Sequence, residues 1–189
     1  MNLISNYIEF ITNMLQSGGI IYGIILVLCE SIIPALPLGL FITLNINAYG
    51  LILGIIISWI GTCIGCYLSY MLFKFLSTKF LDKCKINKKL QKTIDEMQEI
   101  TFSNLVVLIA LPFTPAFLIN IACGVVKMNK KKFISAILFG KIFTVIFWGC
   151  IGKSLLESIT DIKTIMIVTI FILIAYFISK LINKKLNIK

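Results

Sequence analysis

The stretch Glu30-Ser-Ile-Ile-Pro34-Ala-Leu-Pro37-Leu-Gly39 decides how this chain is read. It lies inside a run too apolar to be anything but membrane-embedded, yet it carries a carboxylate, two prolines and a glycine. Proline removes a backbone donor and clashes with the preceding helical turn. Backbone left unsatisfied at membrane depth is tolerated only where it is buried in protein or lines a wet cavity. The stretch therefore predicts a broken, re-entrant segment rather than a lipid-facing helix. Glu30 is a functional-site candidate because acids inside a membrane are costly. A second Pro-x-x-Pro, at Pro112 and Pro115, follows 78 residues later in another apolar run.

Outward from these breaks the chain is apolar almost throughout. Of its 189 residues 59% are hydrophobic, and the mean hydropathy is +1.00, which excludes an ordinary soluble domain and any disordered class. The length leaves room for one membrane domain, residues 1–189, and no separate soluble module. The net charge of +10 comes from 18 lysines without a single arginine. In a soluble protein that balance would suggest nucleic acid. Here the lysines lie between apolar runs, so they report topology instead, and no nucleic-acid partner is expected.

Residues 10–29 carry no charge and suffice for one span, with Gly18-Gly19 predicting a short helix followed by a span. Residues 31–73 are too long for one helix and fit a hairpin followed by a span over about 50–73. Asn45-Ile-Asn47-Ala-Tyr49-Gly50 reads as a surface turn between them. Within that span Gly54, Ser58, Gly61, Gly65 and Ser69 recur at helical spacing, and Gly61-x-x-x-Gly65 would let another helix approach closely. Small residues are also simply frequent in membrane helices.

Residues 74–99 form the extended polar segment, with seven lysines and four acids. Leu90, Ile94 and Met97 at helical spacing predict an amphipathic connector, either on anionic lipid or simply solvated. Residues 133–152 predict a span containing Lys141, and residues 164–182 a C-terminal span followed by a basic tail. Both the 74–99 loop and Lys127–Lys132 are lysine-rich, so both belong on the cytoplasmic side. Residues 100–126 must then enter and leave by the same face, and their prolines supply the turning point. If the first broken segment is also re-entrant, the two hairpins open to opposite sides, as in an inverted repeat. The expected fold is all-α and polytopic: about four spans plus two opposed Pro-containing re-entrant hairpins.

Cys63-x-x-Cys66 looks like a metal or redox pair, but the chain has no histidine and no second Cys pair, so helix packing is the better reading. No metal, cofactor or disulfide framework is expected, and the first residues lack the basic region of a cleaved signal peptide. An intramembrane enzyme is disfavoured, because no acid pair lies in an apolar run.

Glu30-x-x-x-Pro34-x-x-Pro37, followed by a glycine-dotted span, resembles the first signature of the DedA family, also called the VTT-domain or SNARE-associated family. Ala110-Leu-Pro112-x-x-Pro115-x-x-x-x-Asn120-x-x-x-Gly124, then Met128 and Phe133, is similar to the second signature of its Tvp-type branch. The resemblance covers about residues 15–155. It implies two opposed hairpins and lipid translocation, the substrate being undecaprenyl phosphate or phospholipid. One departure is chemical: the family usually carries an arginine two residues before the second proline pair, and here that position is Ala110. Arginine suits phosphate through bidentate bonding. Lys141 is the nearest substitute, about 13 Å into its helix from Lys132 and so near the middle of a ~30 Å core.

Glu30 has two readings, as a carboxylate beside the amides that open the hairpin helix and as a proton carrier. Lys141 could bind substrate, pair with Glu30 or snorkel. Asn120 could meet a head group or satisfy freed hairpin carbonyls. Pro34, Pro37, Gly39, Pro112, Pro115 and Gly124 are expected to shape the hairpins. The expected function is a flippase- or scramblase-like lipid translocase in the cell membrane, open to proton coupling and to oligomerisation. Its rivals are a small-solute or ion transporter on the same scaffold and a non-transporting assembly factor.

Overall fold

The computed structural model describes residues 2–33, 38–80, 95, 97–114, 116–157, 173 and 180. Among the described residues, the elements in order are α1 (Asn2–Ile32), α2 (Leu38–Tyr49), α3 (Leu51–Phe80), α4 (Phe102–Ala110), α5 (Ala116–Val125) and α6 (Lys130–Glu157). No strand occurs among the described residues. Also among them, three helical stretches are long and apolar enough to cross a membrane: Glu9–Ile32, Leu51–Lys79 and Lys130–Gly152. The expected span at 164–182 lies outside the described residues apart from Leu173 and Lys180, as do Pro34, Pro37, Pro115 and most of the 74–99 connector.

α3 and α6 form an antiparallel axis. Trp59 donates to the Leu138 carbonyl at 3.1 Å, the Cys63 thiol faces the Ile137 carbonyl, and the Tyr70 ring stacks on Phe133 at 4.5 Å. Against this axis pack two helical pairs, each interrupted by a short junction. In the first pair, α1 and α2 meet at their open end near the start of α3. There Tyr49 Oη lies 2.7 Å from the carbonyls of both Leu15 and Gly19, and Gln16 donates to the Ala48 carbonyl at 3.0 Å. The Gly19 carbonyl belongs to a kink in α1, where φ is 67°, a conformation that favours glycine. This is the interruption that Gly18-Gly19 predicts. From the kink, α1 descends along α3 only to its middle. A Cβ on Gly61 would lie 2.8 Å from the Ile24 carbonyl oxygen, and one on Gly65 2.6 Å from Ser31 Cβ. The small-residue stripe of α3 is thus the surface on which α1 packs, and Gly54 does the same for α2, 2.5 Å from Ile46 Cα.

In the second pair, α4 packs on α6 and α5 on α3, and the segments just before α4 and just after α5 meet at the other end of α3. Gln98, just before α4, donates to the Val126 carbonyl, just after α5, at 2.9 Å. Ser77, near the end of α3, donates to the Val125 carbonyl at 2.8 Å. Gly124 lets α5 press against α3, its absent Cβ falling 2.7 Å from the Tyr70 carbonyl oxygen. The α5 terminus closes through bonds from Lys127 N to the Gly124 carbonyl and from Met128 N to the Cys123 carbonyl, both 3.0 Å, with Lys127 left-handed at φ 54°. Asn129 then caps α6 by accepting from Lys131 N at 2.9 Å. The two pairs therefore open at opposite ends of α3, about 45 Å apart for a 30-residue helix at 1.5 Å per residue.

Two boundaries differ from the sequence reading. Asn45 and Asn47 do not form a surface turn; both lie within α2, and only Gly50, at φ 82°, makes the turn. Asn45 is fully buried because Nδ2 finds partners on two neighbouring helices, the Gly23 carbonyl at 3.1 Å and Ser58 Oγ at 3.0 Å. The span expected to end at residue 73 continues to Phe80, carrying Lys74 with it, since Lys74 Nζ donates to Tyr70 Oη one turn back at 3.0 Å.

Candidate functional site

The end of α1, the start of α2 and the second junction converge on one face of α6. Lys141, Thr144, Trp148, Ile151 and Gly152 recur at helical spacing along that face and line a cavity of about 480 Å³. The first pair contributes Glu30, from the last turn of α1, and Leu38, Gly39, Leu40 and Thr43, from the start of α2. The second contributes Ile109 from α4, Leu111 to Thr114 from the junction, and Ala116.

The second junction is built by its own sequence. Pro112 has no amide hydrogen, so the helix cannot continue through it with full bonding. Leu111 N still reaches the Val107 carbonyl at 3.1 Å, and the chain then turns through Thr114 N to the Leu111 carbonyl at 3.2 Å. The carbonyls freed at the end of α4 are taken up from α6, where Thr144 Oγ1 lies 2.8 Å from the Ile109 oxygen and 3.3 Å from that of Ala110. This answers how broken backbone is satisfied away from water. Thr144 does the work for which Asn120 is a sequence candidate. Asn120 is 1% exposed, stands outside the cavity lining, and its Nδ2 has no hydrogen-bond partner.

Glu30 and Lys141, 111 residues apart in sequence, face the same cavity and act on each other electrostatically. Ser31 Oγ lies 3.5 Å from Glu30 Oε2. Lys141 is 1% exposed, and among the described residues its ammonium makes no hydrogen bond or ion pair. Thr114 Oγ1, also in the lining, is buried without a partner. A buried charge without a close partner costs several kcal/mol, and Glu30 is the acid that shares the cavity with Lys141. Gly39 admits the indole of Trp148, whose Cε3 lies 2.6 Å from where a Cβ would stand.

Cys63 and Cys66 face different helices. The Cys63 sulfur lies 3.9 Å from the Ile137 carbonyl of α6, and that of Cys66 3.9 Å from Ser31 Oγ of α1. Both are core packing groups, and no cluster of metal-ligating side chains occurs among the described residues.

The VTT-domain family model matches residues 33–154, which takes in α2 to α5, nearly all of α6 and every lining residue except Glu30. The chain belongs to the VTT-domain, or DedA, family. It is 26% identical over 185 residues to a Bacillus subtilis (strain 168) protein described as the uncharacterized membrane protein YhjE, covering 96% of this chain and 89% of that one. No solved structure matches. With its three membrane-length apolar helices this VTT-domain chain is a multi-pass membrane protein. Ala110 is half-buried and outside the lining, whereas Lys141 of α6 lies within it.

Proposed function

We propose that this protein translocates a lipid or lipid phosphate across the cell membrane, the head group passing through the cavity while the tails remain in the bilayer. Lys141 carries the reading: a buried ammonium with no hydrogen bond or ion pair among the described residues, sharing with Glu30 a cavity between the start of α2 and the second junction. A phosphate oxygen would complete it, and Thr114 Oγ1 offers a second unused donor. The junctions lie within the membrane in this reading. α4 and α5, of 9 and 10 residues, rise only about 14–15 Å each, half of a ~30 Å hydrocarbon core, and so enter and leave by one face. The lysine-rich loops face the cytoplasm. Glu30 is the one acid in the lining and the candidate proton carrier. The protein acts without making or breaking covalent bonds.

The test is translocation in proteoliposomes, with a fluorescent phospholipid in one arm and a polyprenyl phosphate in the other, each with and without a pH gradient. Wild-type protein should move at least one of them faster than protein-free vesicles, and Lys141→Met should not. Lipid movement at the protein-free rate in every arm would refute the reading.

A further inference from the structure

Trp148 occupies a place that the anion-binding argument does not use. Its indole packs against the start of α2 and against the second junction. On one side is Gly39, at the start of α2, where a single methyl group would come within 2.6 Å of Cε3 and 3.1 Å of Cδ2. On the other is Phe113, at the second junction, packed edge to face at 5.8 Å between ring centroids. Phe147 closes the aromatic cluster, 5.4 Å from Trp148 and 6.1 Å from Phe113. Trp148 also lines the cavity, seven residues and so two helical turns beyond Lys141 on the same face of α6.

Packed interiors do not deform continuously; they pass between discrete arrangements. Because the indole packs against both Gly39 and Phe113, a displacement of either contact changes the packing of the ring against the other. We propose that Trp148 is a positioning residue that couples the two helical junctions, so that a displacement of one is transmitted to the other. Its use in transport rests on the translocase reading above. The coupling itself is a property of the protein without lipid substrate.

The experiment reads the coupling directly. With the native cysteines replaced, spin labels at Leu40→Cys on the first pair and Leu118→Cys on the second report the distance between them; both positions are exposed. A control pair at Leu68→Cys on α3 and Phe143→Cys on α6, also exposed, reports the axis. In protein retaining Trp148, the 40–118 distribution should be single and narrow. Trp148→Ala should broaden it and leave the control pair unchanged. Gly39→Ala, which keeps the indole but displaces it, should shift the 40–118 distance. An unaltered 40–118 distribution in either variant, or equal broadening of both pairs in Trp148→Ala, would overturn the proposal, the latter by showing general loosening. Translocation by Trp148→Ala should fall roughly 5- to 150-fold, the usual range of coupling between two sites. Wild-type protein that moves no lipid would refute the translocase reading and leave the distance result standing.

Discussion

Lys141 sets two effects against each other. Its ammonium is buried with no hydrogen bond or ion pair among the described residues, which costs stability, and it faces a cavity, where it can meet an anion. Replacing a buried, poorly paired charge by an apolar side chain of similar volume is often neutral or stabilising. Lys141→Met should therefore match or exceed wild type in thermal stability in detergent. Its translocation rate should fall roughly 10- to 150-fold, the value of a charged hydrogen bond of about 1.5–3 kcal/mol. A variant that loses stability and activity together would show that Lys141 is a structural group. Glu30→Gln keeps shape and removes ionisation. If Glu30 carries the proton, this variant should still bind lipid but respond neither to a pH gradient nor to bulk pH. Wild-type rate with wild-type pH dependence would make Glu30 structural. At this scale the sequence exposes ionisable groups well, because a lysine or an acid in a long apolar run has no ordinary reason to be there. It does not expose Thr114, Thr144 or Trp148. Threonine and tryptophan are common in membrane helices, and only the fold shows which carbonyl, ring or cavity each one meets.

The helical pairs are breaks held open by neighbours rather than by their own sequence alone. The second junction combines a missing donor at Pro112 with carbonyls that accept from Thr144 Oγ1. Pro112→Ala with Pro115→Ala should let α4 and α5 approach one continuous helix. Translocation should then fall while the protein still inserts; unchanged transport would make the prolines incidental. The first pair depends on close approach. Gly65→Val would place a branched side chain where Cβ alone is already 2.6 Å from Ser31 Cβ and 2.9 Å from the Leu28 carbonyl oxygen. Such overpacking costs about 1–3 kcal/mol, so thermal unfolding should move down, whereas Gly19, with nothing within 4 Å of its missing Cβ, should report backbone strain alone. The glycine stripe was legible because its period of three to four residues is that of a helix face. The asparagines of α2 misled for a physical reason: local sequence makes Asn a turn former, but the Asn45 amide Nδ2 donates to Gly23 and Ser58 on helices that sequence alone does not bring near.

At the scale of the molecule, lysine placement and geometry make the same demand by independent routes. The polar stretches on either side of residues 100–126 are both lysine-rich, which asks for one face. The Gln98 to Val126 bond brings the two ends of that segment together, so α4 and α5 return to where they began. The first pair closes at the opposite end, where Tyr49 meets Leu15 and Gly19 beside the turn into α3. Although Glu9–Ile32 is long enough to cross a membrane, α1 stops beside Gly65, halfway along α3. Length alone would make α1 a span, whereas its contacts place its second half beside α2 and the first half of α3. Single cysteines introduced into cysteine-free protein decide between arrangements. In inverted-repeat geometry, Glu99→Cys and Lys131→Cys react only with a reagent on the cytoplasmic side. Leu51→Cys, at the start of α3, and Glu157→Cys, at the end of α6, react only from outside. Labelling of Glu99→Cys and Lys131→Cys from opposite sides would turn residues 100–126 into a complete crossing. The opposed-hairpin arrangement proposed for the cavity would then fail, and the transport reading would lose its geometric basis.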